Sequence, residues 1–440
     1  MILSEPIQPL KWDVCAIGRA VVLQAIGAEL NIACTMRPLR VSLFVVVLSS
    51  VLMSCGTAFV NRDSGVIPPA FFGMTVLDSQ HVTPALNYGT TRTWDSFPML
   101  DWADINSSAG VYQFQDLDAF LQLNQARGVE VIYTFGRTPR WASSQPEAPA
   151  AYGPGECAPP ADLRNWDNYV TAIASHAGTR ITYWELWNEP QDAEYYCGDM
   201  QTLFTMAQHA YQIIKSINPA AQIITPSVSA SGGPAWLDAY LSKGGGNYAD
   251  IISFHGYCND QAESISPMVA RYQKVMAAHG QGSKPLWDTE ADWAGDADDV
   301  LEGSGNQAAF MAKFYLLQWS AGVSRFVWYA YDGGSWGGLW SPATGADPVV
   351  AAYNIFQSWL LGASMTSGCM PDSSGTWSCA LSRPGGYQAL VLWNSGKTVS
   401  YQVPAQYTGL RDLMGNVGSL PRGNLQVGGS PVLVETGKVF

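Results

Sequence analysis

The sequence predicts an α/β fold, a (β/α)8 TIM barrel followed by a small C-terminal antiparallel β domain, and three observations carry that expectation. Eight short apolar, β-branched or aromatic runs recur between residues 71 and 329 with amphipathic stretches between most of them, the pattern of a parallel sheet built from βα units. After Gly362 the pattern changes to Ser/Gly turns and alternating strands, with no helix suggested. The chain has 440 residues, enough for one barrel of about 250 residues or more and a small second domain.

Composition narrows the function. Charged residues make up 13% of the chain, about half the usual share, and the formal net charge is −13. Disorder, a coiled coil and a basic nucleic-acid binder are poor readings on those grounds. The 17 Trp, 20 Tyr and 15 Phe are a heavy aromatic load. Rings left partly exposed usually stack on something flat, and sugars are one such partner.

Taken in order, residues 1–54 read as a dispensable extension plus signal peptide. Arg37 and Arg40 precede an uncharged stretch, 41–53, too short to span a bilayer as a helix but suited to a signal-peptide core. It ends Leu52-Met53-Ser54-Cys55-Gly56, which resembles the lipobox of bacterial lipoproteins, with Cys55 as the lipid site and an ordinary cleaved signal as the alternative. Met36 stands where such a signal normally starts, so residues 1–35 receive no function. The expectation is an exported protein, held in the periplasm or outer membrane through Cys55 and otherwise secreted, with residues 55–67 as a lipidated linker.

The barrel is expected over 68–362, with strands at 71–77, 90–94, 129–135, 181–187, 222–226, 251–255, 285–289 and 325–329. Helices are expected around 116–127, 164–177, 200–216, 266–279, 305–321 and 349–361. Residues 363–440 read as a β-sandwich-like accessory domain with strands at 387–393, 398–403 and 431–435, packed against the barrel and expected to share a strand with residues just after Cys55. Export permits disulfides. Cys369 and Cys379 bracket a Pro-Asp-Ser-Ser-Gly turn and could bridge a hairpin; Cys157 and Cys197 lie in successive loops and could pair, leaving Cys258 free. No Cys or His spacing has the form of a zinc site, and no metal or organic cofactor is expected.

Chemistry in such a barrel sits where strands end. Strand four ends Tyr183-Trp184-Glu185-Leu186-Trp187-Asn188-Glu189-Pro190 and strand seven ends Leu286-Trp287-Asp288-Thr289-Glu290-Ala291. Each sets a Glu at the rim beside Trp rings. Two carboxylates facing across a groove are what glycosidic cleavage needs.

The run Trp187-Asn188-Glu189-Pro190 resembles the strand-four signature of the retaining (β/α)8 glycoside hydrolases of clan A. The resemblance covers about residues 68–362 and, with Tyr183 to Pro190 and the trailing β domain, is strongest to glycoside hydrolase family 39 and bacterial exopolysaccharide hydrolases, with family 5 as the rival. It implies double displacement, with Glu189 as acid/base, Glu290 as nucleophile, Asn188 on the sugar 2-hydroxyl and Tyr257 hydrogen-bonded to Glu290. It also matches Arg92 at strand two, His255-Gly256-Tyr257 after strand six and Trp328 at strand eight as substrate-binding positions. One departure is Phe135-Gly136-Arg137, where many members have His; it makes Arg137 a candidate contact to an anionic or branched sugar.

Bland readings stand beside these. Glu185 lies one layer below Glu189 and is expected to pair with Arg92. His255 reads as hydrogen-bonding support more than as a base. Trp328 reads as a sugar platform rather than a core ring, while Trp141, Trp293, Trp336 and Trp340 could line the groove or staple loops. The glycine-rich 331–338 reads as a loop wall, not a phosphate cradle. The expected function is a monomeric, retaining glycosidase acting on a polysaccharide or oligosaccharide; the alternatives are a non-catalytic glycan-binding barrel lipoprotein and a transglycosylase.

Overall fold

The computed structural model of the chain describes residues 65–229, 232–293, 301–421 and 423–437. The extension, the apolar signal stretch and Cys55 lie outside the described residues.

Eight parallel strands form the barrel: β1 (Phe72–Met74), β2 (Thr90–Arg92), β3 (Glu130–Thr134), β4 (Tyr183–Glu185), β5 (Gln222–Ile224), β6 (Ile252–His255), β7 (Leu286–Ala291) and β8 (Val323–Trp328). They pair in the order β5-β4-β3-β2-β1-β8-β7-β6. Parallel bridges Ile224↔Ile251 and Ser229↔His255 join the two ends of that order, so the sheet closes on itself.

Helices α1 (Trp102–Ile105) and α2 (Gln115–Ala126) follow β2, and α3 (Leu163–Ala177), α4 (Met200–Ile217), α5 (Gly233–Ser242), α6 (Ile265–Ala278), α7 (Ser304–Ala321) and α8 (Pro348–Leu360) each follow one later strand. Capping marks several starts. Asp162, Asp199 and Asp347 each accept a hydrogen bond from a backbone N–H in the first turn of α3, α4 and α8, and Pro348 opens α8 where its missing N–H costs nothing. Helix α5 was not expected from the sequence: its Gly-Pro start and short, largely apolar run hide the 3.6-residue period, although Leu237, Tyr240 and Leu241 bury one side. The β1–β2 connection carries no helix.

Side chains fill the bore in layers. At the bottom Ile132, Ile224, Trp287 and Val327 pack together with Tyr183. The Arg325 guanidinium lies 4.1 Å from the Trp287 ring and 4.4 Å from the Tyr183 ring, with Glu130 accepting at 2.5 Å. Above them the fill turns polar, with Glu185 receiving Thr134 Oγ1 at 2.8 Å and Thr289 Oγ1 at 2.7 Å. That layer is the floor of the upper opening.

A hairpin of β9 (Trp340–Ser341) and β10 (Gly345–Ala346) decorates the loop after β8. The C-terminal region contains β11 (Ser364–Pro371), β12 (Trp377–Arg383), β13 (Tyr387–Trp393), β14 (Val399–Tyr401), β15 (Gly409–Asp412), β16 (Val417–Ser419), β17 (Leu425–Val427) and β18 (Val432–Glu435). Six of them form an antiparallel sheet, β11-β12-β13-β18-β15-β16, and β14 pairs β17. Leu392, Tyr407, Leu425, Val427 and Val434 form its own small core. Helix α7 is buried almost all round because this sheet covers its outer side: Cys369 N donates to Ser320 Oγ at 2.7 Å. Val66 bridges Ser364, so residues just before the barrel do reach the β domain's first strand.

Candidate active site

The catalytic candidates stand on three strand ends tied together by one cation. Arg92, closing β2, is 1% exposed and divides its donors among four partners, the longest contact being Nη2 to Ser227 Oγ at 3.4 Å. Its Nε donates to Glu185 Oε2 at 2.7 Å, Nη1 to Glu290 Oε2 at 2.5 Å, and Nη2 to Asn188 Oδ1 at 2.7 Å. The Glu185–Arg92 pair expected from strand alternation is present. A buried cation satisfied this way locks its partners, since loss of any contact would strand a charge.

Glu189 leaves β4 in the left-handed region, at φ 41°, and its backbone N–H donates to Ser227 O at 2.9 Å. Strained backbone held by neighbours is common at functional positions. His255 Nδ1 lies 2.7 Å from Glu189 Oε1. Glu189 lines the opening above, and its side chain keeps 15% exposure.

Glu290 sits in β7, where register shifts against both β6 and β8 occur. Asp288 takes up the backbone donors there: its Oδ1 accepts from Gly256 N at 3.0 Å and Glu290 N at 3.4 Å. Gly256 is required, because a Cβ at that position would lie 2.1 Å from Asp288 Oδ2. Tyr257 OH donates to Glu290 Oε1 at 2.9 Å. Both Glu290 oxygens therefore accept from outside donors, the pattern of an ionised carboxylate.

One oxygen of Glu189, one of Glu290 and a ring nitrogen of His255 lie within 4.8 Å of one another. Burial raises the Glu290 pKa, against the pull of His255 and Arg92, and the Glu189 charge adds to the rise. Burial works to lower His255, yet the Glu290 charge and the bond to Glu189 outweigh it and leave His255 raised. Burial, then the Glu290 charge, pushes the Tyr257 hydroxyl well above its ordinary value, so it stays a donor.

The same three groups could offer ligand atoms to a metal ion. Arg92 already brings a positive charge to 2.5 Å from Glu290, which opposes a second cation there.

The opening above is a cavity of about 420 Å³, lined by Trp94, Asp95, Asn188, Glu189, Tyr195, Ser229, Tyr257, Asn259, Glu290, Tyr329 and Trp336. Of the residues expected from sequence, Asn188, Glu189, Tyr257 and Glu290 face it. Arg92 and His255 were expected to touch substrate; both are buried beneath it and act on the carboxylates instead.

Two expectations are corrected. Trp328 is not a platform: it is 0% exposed, packs at 4.9 Å against Trp293, and donates from Nε1 to Gly337 O at 2.9 Å. Strand alternation decides this, because Val327 takes the inward position and Trp328 the outward one. Tyr329, one residue on, faces the cavity. Arg137 is likewise withdrawn, held by Asp101 at 3.1 Å, Asp104 at 2.7 Å and Glu156 at 2.8 Å.

Among the four rim tryptophans, only Trp336 lines the cavity. Trp141 donates to Asn106 O at 2.8 Å as a loop staple, and Trp293 is buried. The 331–338 segment forms wall, as expected, with Gly337 at φ 61° and no room for a Cβ against Tyr329 O. Disulfides join Cys157 to Cys197 and Cys369 to Cys379, and Cys258 is free. Sequence reasoning missed Trp94, Asp95, Tyr195, Ser229, Asn259 and Tyr329. The strand-end rule, applied to β2, would have found Trp94 and Asp95; the loop residues gave no signal.

The family model described as Glycosyl hydrolases family 39 matches residues 101–285. An endo-beta-1,6-galactanase from Hypocrea rufa is 23% identical over 385 residues, covering 82% of this chain and 74% of that protein. A family 39 glycoside hydrolase structure from Bacteroides cellulosilyticus WH2 superposes with a TM-score of 0.66 at 19% identity, over 86% of this chain and 82% of that one. A family 39 beta-xylosidase from Caulobacter crescentus gives 0.62 at 16% identity, over 86% and 98%. These structures share the barrel and its trailing β domain.

Proposed function

We propose, for a chain that is a clan A glycosidase most like glycoside hydrolase family 39, that Glu290 is the nucleophile and Glu189 the acid/base of a retaining cleavage of a polysaccharide or oligosaccharide. The observation that carries this reading is the approach of Glu189 and Glu290 oxygens to within 4.8 Å. Retaining enzymes need carboxyl groups about 5–5.5 Å apart, and inverting ones about 6.5–9.5 Å to admit a water between them.

Glu290 Oε attacks the anomeric carbon as the glycosidic bond breaks, and Glu189 gives its proton to the departing oxygen. Glu189 then takes a proton from water, which attacks the same carbon and frees Glu290, so two inversions give net retention. Arg92 and Tyr257 hold Glu290 as an acceptor and aim it. Asn188 Oδ1 is occupied by Arg92, which leaves its Nδ2 to donate to a sugar hydroxyl. His255 steadies Glu189 through both proton transfers.

The test is product stereochemistry together with trapping. Anomeric proton NMR during turnover should show retention, and a 2-deoxy-2-fluoro glycoside with a good leaving group should leave its sugar on the peptide containing Glu290. A first product of inverted configuration would overturn the assignment. A β-1,6-linked galactan is the first polymer to try, on the strength of the Hypocrea rufa relative.

Export with a lipid on Cys55 completes the proposal. It is supported by the charged, apolar, small-residue order ahead of Cys55 and by two disulfides in a chain of low charge. Incorporation of labelled palmitate, lost in Cys55→Ser, checks it.

A further inference from the structure

The cavity holds a third carboxylate that the mechanism above does not use. Asp95, just past β2, lines the cavity with Glu189 and Glu290 and stands at φ 59°. Tyr152 OH donates to its Oδ1 and Tyr329 OH to its Oδ2, both at 2.6 Å. Each tyrosine is pushed far above its ordinary pKa by burial and then by the Asp95 charge, so both remain donors. A carboxylate offers about four acceptor positions, and the two tyrosines fill two.

The surrounding charge is one-sided. None of the residues lining the cavity is Lys or Arg. The two nearby guanidinium groups are spent, Arg92 on Glu185 and Glu290, and Arg137 on Asp101, Asp104 and Glu156. Arg137 instead lies over the Tyr152 ring at 4.8 Å, bracing the tyrosine that braces Asp95.

We infer that Asp95 is a specificity-determining residue that accepts two hydroxyls of the bound sugar, and that this cavity takes neutral glycans and rejects uronic-acid or sulfated ones. A carboxylate or a sulfate brought in with the sugar would meet like charges in a partly desolvated space, with no Lys or Arg among the described lining residues to pair it. A hydroxyl pair, by contrast, satisfies acceptors that would otherwise lose water without replacement. The inference rests on the glycosidase reading and names the substrate class of that same site.

The experiment measures reducing ends released from neutral polymers (β-1,6-galactan, xylan, mixed-linkage glucan) and from anionic ones (polygalacturonate, alginate, chondroitin sulfate). Release is expected from the neutral set alone. Asp95→Asn should lower kcat/KM on the cleaved polymer by about tenfold or more. Tyr152→Phe, which keeps the cavity charge but frees one side of Asp95, should raise KM more than it lowers kcat. Faster release from any anionic polymer than from every neutral one, or an Asp95→Asn enzyme within about twofold of the parent, overturns the inference. If neither set is cut, the glycosidase reading is what fails. Selectivity is then decided by electrophoresis of the parent through gels cast with each polymer, where retardation by the anionic set overturns it and retardation by the neutral set alone upholds it.

Discussion

Arg92 reaches Glu290 from below, Nη1 to Oε2 at 2.5 Å, while the same guanidinium donates to Glu185 and Asn188. One buried cation therefore sets the positions of residues from β4 and β7 that are about a hundred positions apart in sequence. Arg92→Met would leave Glu185 and Glu290 facing each other uncompensated. We expect a loss of about 3–5 kcal/mol in urea unfolding and no measurable turnover; Arg92→Lys, which cannot fork, should keep part of the stability but little activity.

The acid limb of kcat/KM should sit above the ordinary glutamate range, because burial raises Glu290 and only its ionised form attacks. As pH falls through that raised value, the nucleophile is protonated and rate is lost. Tyr257→Phe removes a donor to the ionised form, so its acid limb should move further up. A pH profile unchanged in Tyr257→Phe would contradict the hydrogen bond's role.

Asp288 gives a separate signal in stability. Burial raises its pKa to about 8 from 3.8, with Gln318 and His255 opposing, so the folded chain holds this proton more tightly than the unfolded chain. That contribution is fully present below the unfolded value and is lost as pH rises through the folded one. Urea midpoints should therefore decline as pH rises toward 8, and Asp288→Asn, permanently neutral, should flatten that decline.

Trp336 and Trp328 should separate cleanly. Trp336→Ala removes a cavity ring and should raise KM by about tenfold with little change in unfolding. Trp328→Ala removes a fully buried ring and should cost about 3–5 kcal/mol of stability. The opposite pattern would restore Trp328 as a sugar platform.

The disulfides differ in reach. Cys157–Cys197 closes a separation of 40 residues and Cys369–Cys379 one of 10. Loop-closure entropy gives about 4 and about 3 kcal/mol respectively. The double Ser variant of the first pair should thus lose more stability, and because it ties the loops after β3 and β4 it should also raise KM.

The sequence by itself determined the barrel, the trailing β domain and the strand-end positions of the two glutamates proposed as acid/base and nucleophile. Those follow from local signals: the apolar period of each strand and the short run around Glu189 can be read without knowing what lies opposite. It also placed Glu185 against Arg92, since alternation along one strand is a local rule. Tertiary structure alone decided which rim residues face the sugar. Trp328 and Tyr329 differ by one position in the pleat, and a one-residue shift of parity carries a ring from helix-facing core to cavity wall. Arg137 had a free-looking cation in sequence; Asp101 and Asp104 at helix α1, and Glu156 further along its own loop, neutralise it in space. Partners brought together by chain closure set the local charge, and a linear reading does not contain that closure.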